Sequence, residues 1–330
     1  MNKQILQDLY LRNHLPQSEL EEAIGFLLTF EDYLGKLGKP ADLEGLDSED
    51  LEGFISQLVA THTNTLAHFI VLLRYFKVTK RNDLMIMLYR YLGGLDVIEN
   101  ITERLERLHG KAICEEVLLG WQKPPLGTAP TAITGATKEL MDRLNRRFTE
   151  SQVKLILAGN NHGIPDTAFL ADKTAYEAAP TLAAFLREKQ QEQVKILEEH
   201  VRDNKIWFEQ TITPAVVEYV RDNQEILSAV LEDEALYLTK IPYDPDGFLH
   251  EADPQKKRYL ACHCPFAREA IRSGLPEISP LWCYCSAGFT KHPYEQILGQ
   301  KLDIEILESV LGGSDRCRFK IPLSGVDYKK

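Results

Sequence analysis

The chain has 330 residues, 44% of them hydrophobic and 26% charged, with 49 acidic against 38 basic side chains and a formal net charge of -11. That length allows two domains or one large one, each with a real core, and the composition is that of a globular protein. The acidic balance disfavours a non-specific nucleic-acid binder, whose phosphate contacts need a basic face.

The opening stretch, MNKQILQDLYLRNHL, breaks its apolar residues with charge every few positions, unlike a signal peptide. The longest apolar run, around Phe69 to Leu73, is too short to span a bilayer. The expected compartment is the cytoplasm, where cysteines stay reduced.

Residues 1–95 carry the pattern of a small all-α domain. Leu20, Ile24, Leu27, Leu28 and Leu34 recur at helical spacing. Ser48 opens the next helix, with Asp50 and Glu52 in its first turn, where the helix dipole favours anions. A third helix is expected from Thr63 to Tyr75, and a fourth from Lys80 to Tyr91, stopped by Gly93-Gly94. In length and in phrases such as FEDYLGKLGK this segment resembles the SAM-like helical N-terminal domain of phage-type integrases. No Arg/His/Tyr recombinase domain follows, so cleavage chemistry does not carry over. RYFKVTKR gathers Arg74, Lys77, Lys80 and Arg81, and reads as a solvated helix end.

Residues 96–135 read as a helix followed by a linker, because WQKPPLGTAPTAITG (Trp121 to Gly135) is rich in Pro, Gly and Thr. Residues 136–330 then read as a helical lead-in to an α+β domain. Its helices run from Thr137 to Phe148, from Thr149 to Ala158 and from Leu182 to His200, and one starts at the Thr213-Pro214 pair. From Ala235 the period changes, and LYLTKIP, RYLACHC, LDIEILESVL and RCRFKI read as strands. A helix from Ala287 to Leu298 separates the second from the third, and Gly312 to Asp315 mark a hairpin. The expectation is an antiparallel β-β-α-β-β sheet with helices on one face.

Five of six cysteines, Cys262, Cys264, Cys283, Cys285 and Cys317, fall in the last 69 residues. Reduced thiols clustered this way read as metal or catalytic groups before disulfides. On a strand each Cys-x-Cys pair aims two sulfurs at one point, a reach that suits two ligands on one ion and suits a disulfide poorly. Four thiolates would make an ordinary structural zinc site. Thiolates alone do not choose zinc over an iron–sulfur cluster. The plain alternative is four small apolar residues in a core.

The stretch CYCSAGFTKHPYEQILGQKLDIEILESVLGGSDRCRF resembles the signature of the 4-vinyl reductase-like small-molecule-binding domain, through Cys283, Ala287-Gly288-Phe289, Asp315, Cys317 and Phe319. That resemblance implies a small-molecule ligand and a thiolate-held zinc. It also puts Ser309 where a ligand cysteine is expected; Cys285 and the upstream Cys262/Cys264 pair could supply the missing sulfurs, which is an inference from this sequence and not implied by the resemblance. From about Pro124 to Leu323 the pattern CxC…CYCSxG…ESVLxGxxxCxF, with the helical lead-in, is similar to uncharacterised bacterial proteins grouped near the L-2-amino-thiazoline-4-carboxylic acid hydrolases. This implies hydrolysis. The corresponding second reading of the residues is a hydrolase of a small cyclic amide or amidine, with Cys264 or Cys285 as nucleophile and His162 as base, or a metal that keeps an open position for water.

AGNNHGIP places His162 on a loop after a helix end capped by Gly159, where a functional side chain is at home. His263, between two cysteines, reads as exposed or hydrogen-bonded; Cys114 reads as packing, and Trp207, Phe208 and Glu209 as core material. No Walker loop, GxGxxG, HExxH or GxSxG occurs. Residues 1–95 hold 9 basic and 13 acidic side chains, so a DNA-binding regulator ranks last. The expected partners are a small-molecule ligand, neither nucleic acid nor membrane, with a homodimer allowed.

Overall fold

The computed structural model describes residues 1–330 and divides them into two compact units. One comprises Met1–Gly93 and Pro124–Ala129, the other Gly94–Lys123 and Pro130–Lys330.

The first unit is all-helical: α1 (Lys3–Arg12), α2 (Gln17–Lys36), α3 (Ser48–Ala60), α4 (Leu66–Val78) and α5 (Asn82–Leu92). It therefore has five helices where the periodicity of residues 1–95 predicts four. The additional one, α1, buries Leu6 and Tyr10, four residues apart, between charged neighbours that obscure the stripe. Asp47 caps α3 in a reciprocal capping box with Asp50, and Thr65 caps α4. Phe30 stacks on Phe54 at 4.0 Å in the core. Two of the cations in RYFKVTKR are used internally: Arg74 reaches Tyr10 and Glu19, and Arg81 reaches Asp83 and the carbonyls of Glu44 and Leu46.

The second unit begins with α6 (Val97–His109), α7 (Lys111–Leu118), α8 (Pro130–Arg147) and α9 (Glu150–Leu157). The Pro/Gly stretch expected to run as linker to Gly135 is therefore helical from Pro130, because proline suits the first helical turn. A 3-10 turn (Asp166–Phe169) leads to α10 (Leu170–Ala178), α11 (Leu182–Arg202) and α12 (Pro214–Arg221). Then come β1 (Val230–Glu232), β2 (Ala235–Thr239), α13 (Pro245–His250), α14 (Pro254–Ala261) and α15 (Arg268–Ser273). A second 3-10 turn (Pro280–Cys283), α16 (Tyr284–Leu298), β3 (Glu305–Glu308) and β4 (Arg318–Pro322) complete the chain.

The fold is α+β. Its four strands form one antiparallel sheet in the order β1-β2-β4-β3, with an irregularity in register between Ile306 and Glu308. Leu236, Leu238 and Ile321 of the sheet pack with Leu182, Phe185 and Leu186 of α11 and Tyr294 and Ile297 of α16. One predicted strand is absent. RYLACHC is the end of α14 and the loop after it, because Asp253 caps the helix and Pro254 starts it. The missing place in the sheet is taken by β1, whose turn to β2 holds Asp233 and Glu234 at φ 48° and 53°. No helix is long and apolar enough to cross a membrane.

Candidate functional site

Five cysteines stand where elements begin or end. Cys262 terminates α14 with extended backbone (φ -81°, ψ 120°), so the chain leaves the helix there. Two residues on, the carbonyl of Cys264 accepts the N–H groups of Ala267 (3.3 Å) and Arg268 (3.0 Å), which starts α15. Cys283 sits at the junction of the second 3-10 turn and α16, and Cys285 in the first turn of α16. Cys317 precedes β4, and its carbonyl accepts the N–H of Lys240 (3.0 Å), which follows β2. The Cys-x-Cys pairs are thus on helix ends and a loop, not on strands, and strand alternation does not aim their sulfurs.

The thiols nevertheless gather. All are free; Cys262 and Cys285 are buried, and Cys264, Cys283 and Cys317 half-buried. Burial pushes the Cys283 thiol well above its ordinary pKa, and Cys317, Cys262 and Cys264 add to the rise. Cys262 is raised by burial and then by Cys264 and Cys317. Cys285 is pushed up to about 12 by burial and by Cys264, with the Asn161 side chain and Lys240 acting against the rise. Burial also raises Cys264 and Cys317. The Trp282 indole N–H donates to Cys264 Sγ at 3.2 Å, and the Ser309 hydroxyl stands beside Cys283. Such thiols are protonated at neutral pH and are poor nucleophiles as they stand.

The AGNNHGIP loop and the start of α16 meet closely. A Cβ on Gly288 would run into the backbone of Ala158 and Gly159, so only glycine fits there. His162 lies edge-on to Phe289 at 5.1 Å, and Lys240 Nζ sits 4.9 Å from the same ring while donating to Ser286 Oγ (3.0 Å). Burial, then Lys240, pushes His162 down to about 4. His263 hydrogen-bonds the Ile241 carbonyl through Nε2 (2.7 Å), and burial, then Lys240, lowers it to about 3. Both imidazoles are neutral at pH 7.

Of the predicted site residues, then, Cys262, Cys264, Cys283 and Cys317 share one cluster. Cys285 flanks it through Cys264, and His162 faces Phe289 rather than a thiol. The proposed nucleophile–base pairs, Cys264 or Cys285 with His162, share no hydrogen bond. No three His, Cys, Asp or Glu side chains are arranged to hold a metal ion. The donor chemistry suits a thiophilic ion, but the side chains do not converge as a coordination shell. Cys114 packs between α6 and α7, its thiol 3.7 Å from the Thr102 carbonyl. Phe208, expected in the core, is 78% exposed at a turn.

Sequence reasoning gave no role to Lys240, Tyr243 and Arg268 and read Glu209 only as core material. Lys240 and Arg268 act on the thiols and imidazoles, Tyr243 lies edge-on to His263 at 5.5 Å, and Glu209 is coupled to Tyr243 and Arg268. The unit is an α+β domain, and Cys262, Cys264, Cys285 and Cys317 pack among the apolar side chains of its core. Residues 245–327, which include all five cysteines, are similar to a family of unknown function (DUF6144). No curated protein and no solved structure matches the chain.

Proposed function

We propose that the second unit is a small-molecule-binding domain built around a cysteine-thiolate metal site, with Cys262, Cys264, Cys283 and Cys317 as donors and zinc as the metal. The observation that carries this reading is the gathering of four free thiols, from three separate stretches of chain, at one place. Cys264 and Cys317 add to the raised pKa of Cys262, and all three add to that of Cys283, so the cluster resists ionisation alone and would ionise around a cation, which reverses the repulsion. Binding must expel protons and turn the thiols inward. Ser309 stands beside Cys283, at the position where the resemblance expects a ligand, which makes the upstream Cys262/Cys264 pair the source of the remaining sulfurs. Reduced thiols agree with a cytoplasmic setting. The hydrolase reading has less support, because His162 does not engage Cys264 or Cys285. A DNA-binding regulator has less still, given the acidic first unit.

Elemental analysis of protein purified under reducing conditions, with its absorption spectrum, tests the proposal. About one zinc per chain in a colourless sample is expected, with Cys283→Ser and Cys317→Ser lowering metal content and stability and Cys114→Ser leaving the metal unchanged. A brown, iron-bearing sample would replace zinc by a cluster. Absence of metal, with one thiol reacting unusually fast, would overturn the metal site and favour the hydrolase.

A further inference from the structure

Arg268, the first residue of α15, is only 6% exposed. Its guanidinium is held between two rings, 4.2 Å from the centroid of Tyr243 and 4.1 Å from that of Tyr259. Nε donates to the Tyr259 carbonyl at 2.9 Å, and no carboxylate lies within ion-pair distance of the group, Glu209 being coupled to it only through charge. Buried cations are ordinarily paired, since desolvating a charge is expensive. Two aromatic faces compensate part of that expense, but they act on the flat sides of the guanidinium. Its edge, with the Nη hydrogens, is the part that recognises planar anions in bidentate fashion.

The neighbouring groups leave this capacity unfilled. Trp207 and Gln210 close a tight turn through paired backbone hydrogen bonds of 3.0 and 2.9 Å, with Phe208 at φ 52° at its exposed tip. Glu209, in the same turn, feels the charge of Arg268 without pairing with it. Burial raises the Glu209 pKa, and the Tyr243 hydroxyl and Arg268 hold back part of the rise. Gln210, 3% exposed, donates to the Pro242 carbonyl at 2.8 Å, yet its Oε1 has no donor. On the other side Arg268 acts on Cys262 and His263, which places it beside the thiol cluster.

We propose that Arg268, clamped by Tyr243 and Tyr259 and bordered by Glu209, is a binding subsite for a small anion of carboxylate or phosphate type. The anion completes the charge balance that the chain's own carboxylates leave open. The subsite does not depend on whether the thiols hold a metal, so its test and the metal analysis can fail separately.

The test is isothermal titration of the full chain at pH 8 with sodium acetate and, separately, sodium phosphate, against chloride at constant ionic strength, on protein as purified and after chelator treatment. Saturable binding of at least one anion is expected, and the stronger arm identifies the class. Arg268→Lys, which keeps the charge and loses the fork, should weaken binding at least tenfold with an unchanged circular dichroism spectrum. Glu209→Gln, which removes a neighbouring negative charge, should tighten it about threefold. The proposal is overturned if neither anion saturates, or if a folded Arg268→Lys protein binds like the parent. Should Arg268→Lys fail to fold, unchanged affinity in Glu209→Gln overturns it instead.

Discussion

Lys240 shows how one side chain sets the chemistry of its neighbours. It is half-buried and held by Ser286 and the Phe289 face, and its charge opposes the rise at Cys264, Cys285 and Cys317. The same charge helps keep His162 and His263 neutral. For His162 this has a thermodynamic consequence. Its folded pKa, about 4, lies below the ordinary 6.5, so the unfolded chain binds the extra proton first as pH falls. Its contribution is complete above pH 6.5 and is lost on going down toward pH 4. The slope is at most about 1.4 kcal/mol per pH unit. Urea unfolding between pH 7 and 4.5 should therefore be flatter for His162→Gln than for the parent protein. Parallel curves would mean that the loop leaves His162 open to protonation in the folded state.

At the level of elements, the tightest constraint is the approach of the α9–α10 connection to α16. Gly288 lies in α16 against the backbone of Ala158 and Gly159, which cannot yield as a flexible side chain would. Gly288→Ala should destabilise by about 1–3 kcal/mol, the usual expense of overpacking. Gly135, inside α8, has no atom near its would-be Cβ, so Gly135→Ala should stabilise by about 0.4–1 kcal/mol. Denaturant midpoints moving in opposite directions would bear this out. Two shifts of the same sign would contradict the packing at one of the sites.

Elements announced by polar start signals were legible in the sequence. Thr149 with Gln152 and Thr213 with Pro214 begin helices as their chemistry requires. Asp253-Pro254 speaks the same grammar, but the aromatic and cysteine alternation after it imitates a strand. The β1–β2 turn was illegible for a different reason. Asp233 and Glu234 adopt the positive φ that usually selects Asn or Gly, so local composition gives no hairpin signal. The thiols of the site were legible because they crowd one stretch of sequence. Arg268, Glu209 and Lys240 were not, because each is a common residue whose meaning lies in the neighbours that surround it, and those are known only in three dimensions.

Over the whole molecule, sequence order and compact units part company. The first unit takes back Pro124–Ala129 after the chain has spent Gly94–Lys123 in the second. Within that returning segment, Asn64 Nδ2 donates to the Leu126 carbonyl at 2.6 Å. Gly127 holds φ 85°, and a Cβ there would meet Ile55, Phe69 and Val59 at 3.0–3.1 Å. The backbone conformation and the packing both demand glycine. Gly127→Ala should thus destabilise the first unit by about 1–3 kcal/mol, although the residue lies more than thirty positions beyond α5. If the units unfold separately, calorimetry of the full chain should show Gly127→Ala lowering one transition and Gly288→Ala lowering the other. Both substitutions moving the same transition by equal amounts would mean that the two units melt as one, and that the boundary at Gly93 is a feature of geometry without a counterpart in stability.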